Sequence, residues 1–420
     1  MSEPEGGAAD RRASSTHGTY RRVLANREAL GLLVAQTMSD LGDQAARVAV
    51  ALLVLDQTGD LLYSALALAI AYLPGVFGEA LLGTLADRYP RRAIMLACDL
   101  LRLLLIGGLA LVVGHSPPLL IVYLVLLLSE FVAMPFGTAR AALYVDVVPD
   151  RADYVTAQGL SRTVYLLTQV VGAVVGGFLV DVLGVGPTLA FDALTFLFSF
   201  LVVRFYVRER SVADEPGTTA RRLLADVGIG AKEIFSDPVR RALTLLGWVS
   251  ALFLVAPEAV ALGYRPGLSG VVGGALLAAV PAGSAVGALL VPRLSLRDQL
   301  RLLLPLAALS CLPLFATSVD PPPVVAGALW FVAGVLQAYV LTVIAAVTMF
   351  TPRERRGRVL GVASAGFNLL TAVAFALTGW VAGIDGIGPA RAVSLAGAAG
   401  LVCVAILRAV WPSEAIRSAA

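Results

Sequence analysis

Lysine is almost missing from this chain: Lys232 is the only one in 420 residues, beside two histidines, three cysteines and a charged fraction of 15%. Each shortage excludes a class of chemistry. Lys232 lacks the Gly-rich loop that would cradle phosphates, so ATP is not the expected energy source. His17 sits in the N-terminal tail and His115 in a loop between apolar runs. No imidazole is therefore placed to relay protons within a membrane, and any proton chemistry falls to carboxylates. Cys98, Cys311 and Cys403 show no pair spacing and read as packing or lipid-facing residues rather than a disulfide or metal set. With no metal-ligand spacing, no nucleophile and base set and no cofactor loop, neither an enzyme nor a bound cofactor or metal is expected.

Apolar sequence is what the chain has instead. Hydrophobic residues make up 58% of it and the mean hydropathy is +0.83, too apolar for a surface that must meet water. A helix needs about 20 mostly apolar residues to cross a bilayer. Such runs fall near 30–55, 62–85, 93–113, 119–141, 155–181, 187–205, 241–262, 268–291, 301–318, 322–349, 359–383 and 389–410. Without water to satisfy stray backbone groups, runs of this length must be helices, which predicts an all-α membrane protein of twelve transmembrane helices.

The basic residues predict its orientation. Of the 32, only Arg265 and Arg391 fall in loops on one side, and Arg47, Arg102 and Arg162 lie inside spans. The rest gather on the side of the termini, which marks that side as cytoplasmic. The net charge of +3 is thus a topology signal and implies no nucleic-acid partner. The first residues are polar, with no apolar stretch and no small-residue cleavage site, so no removable signal peptide is expected.

The domain organisation follows from one long polar interruption. A tail (1–28) precedes six spans (29–205), a cytoplasmic linker (206–240), six more spans (241–410) and a second tail (411–420). Within the linker, a basic amphipathic piece from Arg221 to Phe235 is predicted to lie along the membrane interface. The halves repeat one another: Gly83-x-Leu85 recurs as Gly287-x-Leu289, Pro149-Asp150-Arg151 as Pro352-Arg353-Glu354, and Gly176 as Gly379, offset by 203 or 204 residues. Two related six-helix bundles of this kind place a solute cavity between them, opened to each side in turn.

The stretch Gly83-Thr84-Leu85-Ala86-Asp87-Arg88-Tyr89-Pro90-Arg91-Arg92, between the second and third spans, resembles the major facilitator signature G-x-L-A-D-R-x-G-R-R, with Pro90 in place of the usual Gly. That resemblance implies the major facilitator fold and gives Gly83, Asp87, Arg88, Arg91 and Arg92 the role of a latch for the outward-open state. It also implies a charge relay at the cytoplasmic end in which Asp87 and Arg140 take part. In the fifth span, Gly159, Gly172, Gly176 and Gly177 fall on the spacing of the glycine-rich antiporter motif, with Thr168 and Ala173 replacing a Gly and the Pro. Close helix packing is the other reading of these glycines. The segments Ser39-Asp40-Leu41-Gly42-Asp43, Asp99-Leu100-Leu101-Arg102, Ala139-Arg140-Ala141-Ala142-Leu143 and Phe191-Asp192-Ala193-Leu194 look like the macrolide-efflux branch of the drug:proton antiporters.

Ionisable residues inside spans each cost about 2.5–3.5 kcal/mol unless paired or wetted, and so mark function. Asp40, Asp43, Arg47, Glu79, Asp99, Arg102, Glu130, Arg162 and Asp192 all belong to the first half, and only Glu258 to the second. Asp43, Glu130 and Asp40 are the candidate proton carriers. Asp40, Asp43 and Arg47 share one helix face by spacing, and Asp99 and Arg102 are expected to form a structural pair three residues apart. Asp192 and Glu258 are expected toward the outer side as a gate. Tyr72, Tyr165, Gln169, Trp248, Gln337, Tyr339 and Asn368 supply a mixed aromatic and polar surface suited to an amphipathic molecule.

The expectation is a monomeric secondary transporter in the cytoplasmic membrane with both termini inside, exporting an amphipathic small molecule against protons. Rival readings are a proton-driven importer of a nutrient, a lysolipid-type flippase, and a receptor or scaffold that transports nothing.

Overall fold

A computed structural model describes residues 20–76, 89–210 and 220–412, without the side chains of 220–226 and of residue 292. Within these residues the regular structure is helical. The first bundle comprises α1 (Arg27–Thr58), α2 (Leu61–Val76), α3 (Arg91–His115), α4 (Leu119–Val147), α5 (Arg151–Leu183) and α6 (Val185–Tyr206). A linker helix α7 (Ala220–Ser236) follows. The second bundle comprises α8 (Pro238–Gly263), α9 (Gly270–Leu290), α10 (Leu303–Val319), α11 (Pro323–Met349), α12 (Arg353–Ala382) and α13 (Gly388–Ala409).

Nine of these described helices are long and apolar enough to cross a membrane, while α2 and α10 are shorter apolar helices. The remaining expected span, α1, is a 32-residue helix interrupted chemically by Asp40, Asp43 and Arg47. Leucines and other large apolar side chains face outward all around the bundle, Leu111 at 82% and Phe205 at 75% exposure among them. That surface suits lipid, where helices are the form that satisfies its own backbone.

Local chemistry explains where the helices begin. The Asn26 side chain accepts from the backbone N–H groups of Glu28 and Ala29 to start α1, and the Asp150 carboxylate does the same for Ala152 and Asp153 at α5. Gly59, with φ of 66°, turns the chain between α1 and α2 in the left-handed region that suits glycine. In α8, Pro257 has no N–H to donate and its ring crowds the preceding turn, so the helix is interrupted at Val255 and resumes for Ala256–Val260.

Three apolar cores organise the halves. One joins both bundles, running from Val48, Leu68 and Leu189 to Phe253, Leu276, Trp330 and Phe375. A second contains only first-bundle residues, such as Leu32, Met95, Leu143 and Val203. The third belongs to the second bundle, with Leu243, Leu303, Val347 and Val359. The second and third lie on the side of the chain termini, and the joint core spans the middle and the opposite, distal side. Among the described residues, the halves are therefore sealed to one another distally and have separate apolar cores on the terminal side.

The amphipathic linker piece differs from its expected interfacial placement. In α7, Ile234 is fully buried in the second-bundle core and Glu233 forms ion pairs with Arg240, at 3.5 Å, and with Arg355. Packing against α8 and α12 thus claims one face of α7, while Val227, Ile229 and Phe235 stay exposed.

Candidate functional site

The first bundle holds its charges in two crossed ion pairs. Ser39, Asp43 and Arg47 succeed one another at four-residue steps along one face of α1. Arg102 of α3 reaches that face, pairs with Asp43, and donates to Ser39 Oγ and to Ser129 Oγ of α4 at 3.2 Å each. Its guanidinium also lies 4.2 Å from the ring centroid of Phe196 on α6. One turn along α1, Arg47 donates through Nε and Nη2 to Glu130 Oε1 at 2.9 and 2.8 Å. Neighbouring residues of α4, Ser129 and Glu130, therefore hold the two arginines side by side. A buried guanidinium is tolerated because its fork meets an acceptor on each side.

These partners correct the expected pairs. Asp99 does not pair with Arg102; it is buried at 1% exposure and accepts from Ser199 Oγ at 2.8 Å. Its Oδ1 has no hydrogen-bond partner. Asp40 leaves the Asp43–Arg47 face and accepts instead from Gln36 at 3.1 Å, on the side where Gln36 also exchanges hydrogen bonds with Ser161 of α5. Arg140 of α4 lies close enough to Asp40 for their charges to interact. Arg162 stacks 5.0 Å over the Tyr165 ring.

Asp192 is not at an outer gate. It is wholly buried on α6, packed against Gly42 of α1, and its Oδ1 accepts from Thr195 Oγ1 at 3.3 Å while Oδ2 is unpartnered. Its charged neighbours are Asp43, Arg102 and Glu130. Glu258 lies where the two halves meet. It lines a small cavity of about 40 Å³ between the halves, with Gln44, Arg47, Tyr72, Gln169, Pro281 and Phe375 among the walls. Spacing in one helix offers no information on partners from another, which is why the burial of Asp192 beside Arg102 was not foreseen.

The expected solute surface divides. Tyr72 stacks on Phe375 across the halves, centroids 5.6 Å apart, and Gln169 donates to the Tyr165 hydroxyl at 2.7 Å. Asn368 of α12 abuts Gly75 of α2. Trp248 donates to the Ala363 carbonyl at 2.9 Å and walls a separate apolar cavity of about 270 Å³ with Val343, Leu360 and Phe367. Tyr339 and Gln337 also lie outside the lining of the cavity between the halves. Tyr339 is 1% exposed and bonds Ser250 at 2.5 Å inside the second bundle, and Gln337 accepts from Ser284 of α9 at 3.4 Å.

Helix packing accounts for three of the four motif glycines. Gly172 faces Gln44, Gly176 faces the Ala45 backbone, and Gly177 backs onto the Gly270 backbone of the other half; Gly159 meets nothing. Gly274 abuts the Ala173 carbonyl and Gly379 the Leu61 backbone, so close approach of α5 to α9 and of α12 to α2 forms the distal seam. The Asp181 carboxylate completes it by accepting from the N–H groups of Gly270 and Val271 at 2.6 and 2.9 Å.

Of the signature, Gly83, Asp87 and Arg88 lie outside the described residues, as does Glu79. Arg91 pairs with Asp146 of α4 at 2.5 Å, and Arg92 donates to the Arg204 carbonyl at 2.5 Å and stands 3.6 Å from Glu209. Both brace the first bundle from within.

Comparison with known proteins brings the same features together. The family model described as Major Facilitator Superfamily matches residues 32–349. "Multidrug efflux pump Tap" of Mycobacterium tuberculosis is 26% identical over 282 residues, 62% of this chain and 66% of that protein. "Uncharacterized MFS-type transporter YkuC" of Bacillus subtilis is 26% identical over 43% of this chain and 42% of its own length. The matches thus span less than two thirds of either relative. The crystal structure of the nucleoside transporter NupG shares the fold, with a TM-score of 0.69 at 15% identity over 91% of this chain and 98% of that one.

Proposed function

Since the chain belongs to the major facilitator superfamily and is a multi-pass membrane transporter, we propose that it exports amphipathic small molecules from the cytoplasm in exchange for protons, across the cytoplasmic membrane and as a monomer. The observation that carries this reading is the position of Arg47. It is held by Glu130 on one side and walls the cavity between the halves on the other.

A proton arriving on Glu130 removes the charge that holds Arg47, and a freed guanidinium adds positive charge to the cavity wall. Proton and substrate are then bound at each other's expense, which is the condition for exchange. Asp43 acts in the same way on Arg102, whose contacts tie α1, α3, α4 and α6 together. Transition between the two access states follows from the packing: the seam of glycines and the Asp181 cap opens while the separately cored terminal sides approach. The similarity to the multidrug efflux pump Tap supports this direction.

Uptake of a cationic amphipathic dye into energised inverted vesicles tests the reading. Wild type should accumulate dye, an uncoupler should abolish accumulation, and Asp43→Asn and Glu130→Gln should each lower it at least tenfold. Accumulation that survives the uncoupler, or entry only with the reverse gradient, overturns proton-driven export; the latter outcome indicates import.

A further inference from the structure

Among the described residues the Glu258 carboxyl group has no ion pair or hydrogen bond, and it lines the cavity where the two halves meet. The second bundle places it there by breaking α8: Pro257 interrupts the helix, and the short turn Ala256–Val260 carries Glu258 at its start. Discontinuous helices near the middle of a transporter are where solutes are gripped, because the break exposes polar groups to a cavity rather than to lipid.

Charge balance in that cavity identifies what it would take. Its walls hold two ionisable residues, Arg47 and Glu258, besides Tyr72. Arg47 is already paired with Glu130 through two hydrogen bonds, which leaves Glu258 as the acidic group of the lining that can take up a cation. Beside it stand the stacked rings of Tyr72 and Phe375, whose faces attract cations, and the amides of Gln44 and Gln169. A free volume of about 40 Å³ admits a group of ammonium size and excludes a whole amphipathic molecule, whose share of space is far larger.

We propose that Glu258 is the specificity-determining residue for a cationic head, and that the substrates are amphipathic amines whose ammonium group enters this cavity between the carboxylate and the Tyr72–Phe375 pair. The inference rests on the transport reading above but is tested by binding, which needs no gradient. Among the described residues, no other carboxyl group lines the cavity. The apolar body of such a molecule remains outside the cavity, toward the terminal side where the bundles are packed separately.

Full-length protein in nanodiscs is titrated calorimetrically with an aryl-alkyl primary ammonium probe and with its alcohol analogue of identical skeleton, for wild type, Glu258→Gln and Glu258→Asp. Glu258→Gln should weaken the ammonium probe at least tenfold and leave the alcohol within twofold; Glu258→Asp should stay within about threefold for both. Equal ammonium binding by wild type and Glu258→Gln overturns the inference, and so does a parallel loss of both probes, which would mark a structural role. Should wild type bind the ammonium probe selectively but fail to accumulate dye in vesicles, export fails while the assignment of Glu258 stands. Should dye accumulate undiminished in Glu258→Gln, the assignment fails and export stands.

Discussion

At the scale of single residues, Arg102 is the most consequential side chain in the first bundle. It is 2% exposed and joins α3 to an aspartate and a serine of α1, a serine of α4 and a phenylalanine of α6. Removing one partner of a buried pair strands the other, at about 3–5 kcal/mol. Arg102→Ala should therefore lower the unfolding midpoint sharply in detergent, whereas Asp43→Asn, which keeps an acceptor oxygen, should lower it less. Arg102→Lys keeps the charge but not the planar fork or the stack on Phe196, so it should rescue folding more than transport. A midpoint for Arg102→Ala within a degree of wild type would contradict this account. The types of residue that build the site were legible beforehand, because intramembrane charge is expensive and so conspicuous. Their partners were not: three- and four-residue spacing reports neighbours on one helix, while Asp43 found Arg102 and Arg47 found Glu130 on others.

At the scale of helices, legibility was much greater, since hydropathy and the all-or-none demand for backbone hydrogen bonds act on each segment by itself. Nine of the expected spans coincide with helices long and apolar enough to cross a membrane and two with shorter apolar helices, and the interruption at Pro257 is the sort of break that proline imposes. The motif glycines needed the partner helix to be understood. Gly177 and Gly159 have the same residue type and opposite surroundings, the one pressed on the Gly270 backbone and the other open. Overpacking costs about 1–3 kcal/mol, and each 1.4 kcal/mol is about tenfold in an equilibrium. Gly177→Leu should accordingly force α5 from α9 and raise the labelling rate of a cysteine at Leu268 by an impermeant maleimide, in a background free of the native cysteines, by about tenfold. Gly159→Ala should leave that rate unchanged; equal rates in both variants would remove the seam from this explanation.

At the scale of the whole molecule, the asymmetry between the two ends sets the resting state. Apolar packing joins the halves distally and divides into two cores on the terminal side. The ion pairs among the described residues each stay within one bundle and its linker segment, as Arg91 with Asp146 and Glu233 with Arg355 do. Among the described residues, helix contact and a polar device, the Asp181 carboxylate on the first two N–H groups of α9, hold the halves together. Loss of an N-terminal cap costs about 0.5–2 kcal/mol, which is enough to move a two-state equilibrium several-fold and too little to unfold the packed bundles. Asp181→Ala should therefore leave folding intact while shifting molecules toward a distally open form. Spin labels at Ser116 and Asp385, in loops of opposite halves on the distal side, should report a longer distance in Asp181→Ala, and labels at Arg151 and Arg293 on the terminal side a shorter one. Asp181→Asn, which keeps one acceptor, should fall between the two. An unchanged distance distribution at both ends would mean that apolar packing alone closes the distal seam, and the cap would then serve only to start α9.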